Sequence, residues 1–597
     1  MIRVILRCDA LIVCPSLLLI ALVLGACISP LSMHPSSVLT CDAPLLAIDN
    51  SGKGIVVDLR VTLISPGQGS VEAMGGADRD AVSSFKLALI YASVMTGVNY
   101  KCCNYLIYSP IEVKGLSGTL FFYILLLNML KHRTCLLNIT STGIIGPGGI
   151  VGSVGGFHEK VNAAGERGLQ IYAQLFQVRN ASVGDFSVKG VYSIFDVYEE
   201  LEGKWAIYDP TKLERHVAVY HEMFEDAYRE LYGKASSIIT DLESVGWVDY
   251  YLSTSKDRLA QADRLAKESE KYYISSSLAY QALVNAYASR LHYLKEIDKL
   301  PAEISTFVES ALNGSESIIS KIEEMSLVQE REKHIDVFLL DLLSASYQRA
   351  VEAKWLVGLL SISSPFNRVD STAIELCSRS LARTFSAEAW LNVSLHFTAY
   401  RQEVGAREMG TAVKYVEEFW YTTKEYLSYM GLDVDKLFPV ATSSQGLMIS
   451  EFLVKVGLMD LISNQLYSSL TGIEMFASGA SIYDVNEIIT LSEELMGWVE
   501  NNLGFIPVEP ALTIDLAKAY LKLGNEPTSI LPLMYTALSK LTLYALFARA
   551  VSWLAGDGVT ISKEPFVLSA TSLIVTGVLL LYVSGRKNKL IIVYKVK

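Results

Sequence analysis

Two patterns of hydrophobic and polar positions divide the chain at about residue 204. Before that point, short runs rich in β-branched and aromatic residues alternate with longer segments whose apolar residues recur every three to four positions. The first pattern is typical of strands and the second of helices. The strand-like runs are LLAIDN, GIVVDLRVTLIS, NYLIYS, TCLLNITS and LQIYAQLFQV, and the helix-like segments are DRDAVSSFKLALIYASVMTG, SGTLFFYILLLNMLKH and HEKVNAAGERG. The alternation predicts a mixed α/β (α+β) domain over residues 44–203.

From residue 205 to about residue 556 the pattern is helical throughout. Segments such as SKDRLAQADRLAKESEKYYISSSLAYQALVNAYASRLHYLKEI contain few glycines and carry apolar residues at helical spacing. No fixed period of 34 or 40 residues recurs, so tandem repeats are not indicated. The pattern predicts a large all-α domain over 205–556, either a bundle or solenoid-like.

Two uncharged apolar runs, residues 10–29 and 565–585, flank these two regions. Each contains about 20 residues, enough to cross a hydrocarbon core roughly 30 Å thick. Basic residues precede the first run and follow the second in the tail 586–597. Because basic flanks stay in the cytoplasm, we expect both termini inside and residues 30–564 on the extracellular side of the cell membrane.

The first run admits two interpretations, while the second is predicted to be a transmembrane helix. Residues 1–29 fit a retained membrane anchor and a cleaved signal peptide equally well, since both have a basic start and an apolar middle. The sequence LGAC, which ends at Cys27, also resembles a lipoprotein cleavage box. Four N-x-S/T sequons agree with an exterior location, and they begin at Asn138, Asn180, Asn313 and Asn392.

Composition and motifs exclude several classes of function. The net charge of −12 argues against a nucleic-acid partner. Neither GxxxxGK[ST] nor GxGxxG occurs, so we expect no ATP and no nucleotide cofactor. His221–Glu222 lacks a second histidine at metal-ligand spacing, and the eight cysteines contain no CxxC pair, so no metal site is predicted. One disulfide is compatible with the cysteines, but the spacing does not assign its partners.

The candidate nucleophile is Ser117, in the segment VKGLSGTLFFYILLLNML. It follows Gly115 at the start of an apolar helix, where backbone N–H groups have no intrahelical partner and carry partial positive charge. A serine there can attack a carbonyl carbon while neighbouring amides receive the developing oxyanion. By itself the position has a simpler explanation, because serine is also a common helix N-cap.

A glycine-rich segment further along, TGIIGPGGIVGSVGGFHEK, changes this balance. Together with VKGLSGT it resembles the proteolytic domain of Lon-type serine proteases, whose motifs read KDGPSAG and TGEI-x-x-x-G-x-V-x-x-IGG-x-x-EK. The resemblance covers about residues 44–203, and the spacing of 43 residues between serine and lysine is that of the family. The residues that match the lysine motif without a gap are Thr142, Gly143, Gly149, Gly155, Gly156 and Lys160.

The resemblance implies a Ser–Lys dyad. Ser117 would be the nucleophile and Lys160 the general base, with Thr142 orienting the amine and backbone amides around Gly115, Leu116 and Ser117 forming the oxyanion hole. Acting as a base near pH 7 requires the lysine pKa to fall by roughly three units, which burial among apolar residues can supply. Like-charge repulsion from Lys114 is a second expected contribution.

The resemblance also sets expectations for the whole chain. The chain has no ATPase module and looks most like membrane-anchored archaeal Lon-like proteases without one, so we expect it to cleave unfolded proteins or peptides as a ring-like homo-oligomer. The helical region could gate access, hold the ring together or recruit substrate. Lys114, Leu116 and Gly118 depart from the family motif, which leaves a catalytically inactive Lon-fold scaffold as an alternative. A cell-envelope binding protein is a third option.

Overall fold

The computed structural model describes the parts of the chain on which the two predicted domains fall. These are residues 37–135, 138–180, 186–204, 210–332, 334–363, 370–396, 403–429, 431, 433–434, 448–461 and 482–554. The predicted anchor or signal segment over 1–29, the predicted transmembrane helix over 565–585 and the basic tail over 586–597 lie outside them. The fold is mixed α/β with a helical majority.

The N-terminal part contains two principal sheets. A four-stranded sheet has the order β1-β2-β4-β3 and is antiparallel except for the parallel pair β3 and β4, and a three-stranded parallel sheet has the order β5-β8-β9. A short hairpin joins β6 to β7. The strands are β1 (Ser37–Ile48), β2 (Gly54–Ser65), β3 (Val71–Ala77), β4 (Asn104–Val113), β5 (Ile139–Thr142), β6 (Ile144–Ile145), β7 (Val151–Gly152), β8 (Gln170–Gln174) and β9 (Val188–Val191).

Among the described residues before 205, five helices accompany these strands. They are α1 (Arg79–Thr96), α2 (Thr119–Lys131), α3 (Phe157–Glu166), α4 (Leu175–Asn180) and α5 (Ile194–Glu202). Helix α2 is buried on all sides from Thr119 to Leu130, as expected for a helix that is apolar around its whole circumference. It packs against α1, while α3 packs across β1 and β2.

The strand predictions differ from the structure mainly at their ends. The prediction for β2 is confirmed over its full length, and its inward side chains alternate with outward ones as a half-buried strand requires. The second half of LQIYAQLFQV is wrong as a strand, because β8 ends at Gln174. The side-chain oxygen of Gln174 accepts the amide of Gln177 at 2.8 Å, which favours the start of α4 there.

A disulfide joins Cys41 in β1 to Cys135 in the connection after α2. The two residues are separated by 94 positions in the sequence, and their pairing was not predictable from cysteine spacing. The bond ties the edge strand of the four-stranded sheet to the segment that leads into β5.

The C-terminal part is a large helical assembly, with one short two-stranded sheet of β10 (His334–Asp336) and β11 (Glu403–Gly405). Its apolar interior is continuous with that of the first sheet. Its helices are α6 (Pro210–Glu222), α7 (Glu225–Ser244), α8 (Tyr250–Ser269), α9 (Tyr272–Glu296), α10 (Leu300–Glu332), α11 (Val337–Ser363), α12 (Ser371–His396), α13 (Ala406–Tyr429), α14 (Met448–Leu461), α15 (Ile482–Leu503), α16 (Val508–Lys522) and α17 (Pro527–Leu554).

Within the described ranges, one helix is long and apolar enough to cross a membrane. It covers Ser529–Leu554, and 83% of its most apolar window is buried inside the protein. Lys540, near its middle, is fully buried and pairs with Asp341 at 3.0 Å and with Glu509. Because α11 and α16 supply these two carboxylates, the lysine fixes α17 against its neighbouring helices.

Candidate active site

The turn between β4 and α2 presents Ser117. Gly115 has φ of +92°, a conformation that favours glycine, and a short 3-10 helix over Leu116–Gly118 leads directly into α2. Ser117 is half-buried while the residues on either side of it are buried. The serine therefore stands at the start of a helix, as the sequence predicted, and is partly exposed to solvent.

Gly143 joins this turn to the end of β5. Its amide donates to the carbonyl of Ser117 at 2.9 Å, and its carbonyl accepts the amide of Leu120 at 3.1 Å. A Cβ at this position would lie 2.8 Å from Cγ1 of Val151 and 3.0 Å from Cδ2 of Leu120. Only a residue without a side chain lets the strand approach the turn this closely, which gives this glycine of the motif a physical role.

Lys160 approaches Ser117 from helix α3. Its Nζ lies 2.9 Å from Oγ of Ser117 and 3.4 Å from Oγ1 of Thr142. Thr142 is the last residue of β5 and is fully buried. The structure thus brings the serine, threonine and lysine of the two sequence motifs together at one point.

Burial governs the charge state of this lysine. Lys160 is only 4% exposed, and desolvation lowers its pKa to about 8. The apolar surroundings foreseen from the sequence are present, since Val154 and Phe157 belong to a buried cluster that also contains Val161. A pKa near 8 leaves a substantial neutral fraction of the amine at slightly alkaline pH.

The expectation that Lys114 repels the charge of Lys160 is wrong. The ammonium of Lys114 is exposed and forms an ion pair with Glu112 at 2.7 Å, which offsets its field. The lowered pKa of Lys160 has burial as its cause. Lys114 is therefore not among the causes of the lowered pKa of Lys160.

One of the backbone amides expected in the oxyanion hole is already bonded. The amide of Gly115 donates to Oδ2 of Asp80 at 3.2 Å, and Asp80 lies in the first turn of α1. The amides of Leu116 and Ser117 belong to the first turn of a helical segment, where N–H groups have no partner within the helix. These two amides are the better candidates for binding a developing negative charge.

Three of the glycines between Thr142 and Lys160 lie in tight turns. Gly148, Gly149 and Gly156 all have positive φ, and Gly156 precedes α3 directly. A Cβ on Gly156 would lie 2.7 Å from the side chain of Ile48, so the missing side chain lets α3 begin against β1. The segment carries the chain from the threonine to the lysine.

Two neighbours of the site were missed by sequence reasoning. Asp80 stands at the start of α1, well before both motifs in the sequence, and its carboxylate accepts the Gly115 amide. Tyr426 lies in α13, and its hydroxyl oxygen is 3.0 Å from Oγ1 of Thr119. Neither residue stands in a recognisable motif, so only the fold indicates them. His221, which the sequence analysis considered as a metal ligand, is buried away from this site. Its Nε2 lies 2.8 Å from Oδ2 of Asp515, and its Nδ1 accepts the amide of Tyr273.

The sequence matches none of the protein-family models and none of the curated proteins with which it was compared. Among the residues that the structure describes, no group of three or more His, Cys, Asp or Glu side chains could hold a metal ion. The arrangement of Ser117, Thr142 and Lys160 is therefore the main indication of function.

Proposed function

We propose that this protein is a membrane-anchored, ATP-independent serine endopeptidase of the Lon-like type, with a Ser117–Lys160 dyad. The observation that carries the proposal is the 2.9 Å distance between Nζ of a buried lysine and Oγ of a serine at a helix start. The lowered pKa of Lys160, about 8, adds a base that is partly neutral in the physiological range.

The proposed reaction follows from this geometry. Neutral Lys160 takes the hydroxyl proton as Oγ of Ser117 bonds to the carbonyl carbon of a peptide. The amides of Leu116 and Ser117 stabilise the oxyanion, and the lysine then returns the proton to the departing amine. Water, activated by the same lysine, hydrolyses the acyl-enzyme and regenerates the serine.

The substrates proposed are unfolded proteins or peptides on the extracellular side of the membrane. Ser117 is half-buried, and no ATP-driven unfolding module is indicated by the sequence. Such a site suits polypeptide substrates that are already extended. The two apolar runs of the sequence support the membrane location, and a ring-like homo-oligomer remains part of the proposal through the resemblance to Lon-type domains.

The main alternative is an inactive scaffold that keeps the Lon-like fold. Gly118 and Leu116 depart from the family motif, and the Gly115 amide is bonded to Asp80, which together favour it. The hydrogen-bonding distance between the two reactive groups and the low pKa of the lysine favour the peptidase.

The test compares the cleavage of unfolded casein by full-length protein in detergent and by its variants. Ser117→Ala and Lys160→Ala should each abolish cleavage, whereas Lys114→Ala, which removes an exposed lysine paired with Glu112, should retain it. Addition of ATP should leave the rate unchanged. Equal activity of the wild type and both dyad variants would exclude the proposal, while labelling of Ser117 by a fluorophosphonate would support it.

A further inference from the structure

Tyr426, in the helical part, reaches the turn that carries Ser117. It is fully buried, and its phenolic oxygen lies 3.0 Å from Oγ1 of Thr119, a residue 307 positions earlier in the chain. Helix α13 is held in place nearby, since the ring of Phe419 packs edge-on against Tyr91 of α1. The helical region thus places the hydroxyl of Tyr426 against Thr119, the residue that directly follows the 3-10 turn containing Ser117.

The direction of the hydrogen bonds follows from the neighbours of Thr119. Its hydroxyl donates to the carbonyl of Leu116 at 2.6 Å, so its one proton is in use. Tyr426 must therefore donate to Oγ1 of Thr119. A chain of two hydrogen bonds then runs from Tyr426 through Thr119 to the Leu116 carbonyl, and each bond polarises the other.

That carbonyl shares a peptide group with the amide of Ser117. A trans peptide is planar, so fixing its carbonyl oxygen also fixes the direction of its N–H. We infer that Tyr426 is a positioning residue for the reaction: through Thr119 it holds the Leu116–Ser117 peptide so that the Ser117 amide faces the developing oxyanion. This role rests on the proposed peptidase function.

The experiment measures kcat and KM of the full-length protein on a quenched fluorescent peptide. Tyr426→Phe should lower kcat on the order of 10- to 100-fold, because a displaced oxyanion donor loses its effect in the transition state. KM should change little. Thr119→Val should lower kcat by a similar factor. The double variant Tyr426→Phe/Thr119→Val should have a kcat no lower than that of either single variant. Thr119→Ser, which keeps the hydroxyl, should have a kcat close to that of the wild type.

Tyr123→Phe is the matched control. Tyr123 is also fully buried, lies on α2, and its hydroxyl donates to the carbonyl of Ile194 at 2.9 Å, away from the serine turn. Its loss should leave kcat within about twofold, since the net contribution of such a bond is to stability. Hydrogen exchange of residues 114–120 should become faster in Tyr426→Phe and stay unchanged in Tyr123→Phe.

The outcomes separate this inference from the proposed function. Suppose that the wild type cleaves the peptide and that Tyr426→Phe either has the same kcat as Tyr123→Phe or differs from the wild type only in KM. The positioning role of Tyr426 is then wrong, and the peptidase proposal is unaffected. If the wild type is no more active than Ser117→Ala, the peptidase proposal fails and the role of Tyr426 in the reaction fails with it. A loss of kcat in Tyr426→Phe but not in Tyr123→Phe, with faster exchange in the turn, supports both.

Discussion

The amide of Gly143 donates a hydrogen bond to the carbonyl of Ser117 at 2.9 Å. This bond joins the end of β5 to the turn before α2, and Thr142 therefore stands beside the serine. Because the carbonyl of the same glycine accepts the amide of Leu120 at 3.1 Å, the two segments cannot slide past each other without breaking both contacts.

Replacing Gly143 by alanine should damage the site more than the fold. The new Cβ would press on Val151 at 2.8 Å and on Leu120 at 3.0 Å, which pushes the strand away from the serine. We expect a fall in kcat of about 10- to 100-fold, since a displacement near 1 Å has effects of that size. The control is Gly155→Ala, where a Cβ meets nothing within 4 Å. Equal loss in both variants would contradict the argument.

Activity should depend on the ionisation of Lys160. The neutral amine is the proposed base and its pKa is about 8, so kcat/KM should rise about tenfold per pH unit below 8 and level off above it. Because burial lowers this pKa, Lys114→Ala should leave the midpoint where it is. A midpoint that moves in Lys114→Ala, or a rate independent of pH between 6 and 9, would show that another group titrates.

The same lysine should cost the protein stability at neutral pH. Its pKa is 10.5 when exposed and about 8 when buried, so the unfolded chain binds more protons between these values and wild-type stability rises with pH across that window. Below pH 8 the burial of the charged amine lowers the free energy of unfolding by its full amount, about 3 kcal/mol. This figure leaves out the hydrogen bonds of Lys160 to Ser117 and Thr142, which a substitution also removes. Lys160→Met should therefore raise the thermal midpoint at pH 7, and the gain should vanish near pH 10.5. A less stable variant at pH 7 would contradict this.

The disulfide between Cys41 and Cys135 should stabilise the α/β part. It closes a loop of 94 positions, and removal of a native disulfide typically costs about 2–5 kcal/mol. The double variant Cys41→Ser/Cys135→Ser should unfold at a lower temperature than the wild type, and a reducing agent should lower the midpoint of the wild type but not that of the double variant. Cys377→Ser, at a buried free cysteine in α12, should keep the wild-type response to reductant.

Local features of the structure could be predicted from the sequence where they depend on neighbouring residues. The alternation in β2 defined a strand with one buried face, and the apolar run after Ser117 indicated a helix that starts at this serine. The two motifs named Ser117 and Lys160, and the structure places their reactive atoms 2.9 Å apart. Strand ends were less well predicted, because a side chain such as Gln174 can start a helix within an apolar run.

Contacts between distant parts of the chain could not be predicted in this way. Tyr426 lies 307 residues from Thr119, and Asp80 lies 35 residues from Gly115. Hydrophobic periodicity tells which face of a helix is buried but not which segment covers it. The same limit applied to the disulfide, since cysteine spacing does not define pairing.

The turn at Gly148 has a consequence for when the site can be completed. A Cβ on Gly148 would lie 3.0 Å from the backbone nitrogen of Ser539, so this turn rests directly on α17. Translation reaches Ser117 and Lys160 well before it reaches the helix that lies behind their connecting segment. A growing chain therefore carries both reactive residues before it has the helix against which the Gly148 turn packs, and this turn gains that support only when α17 folds back onto it.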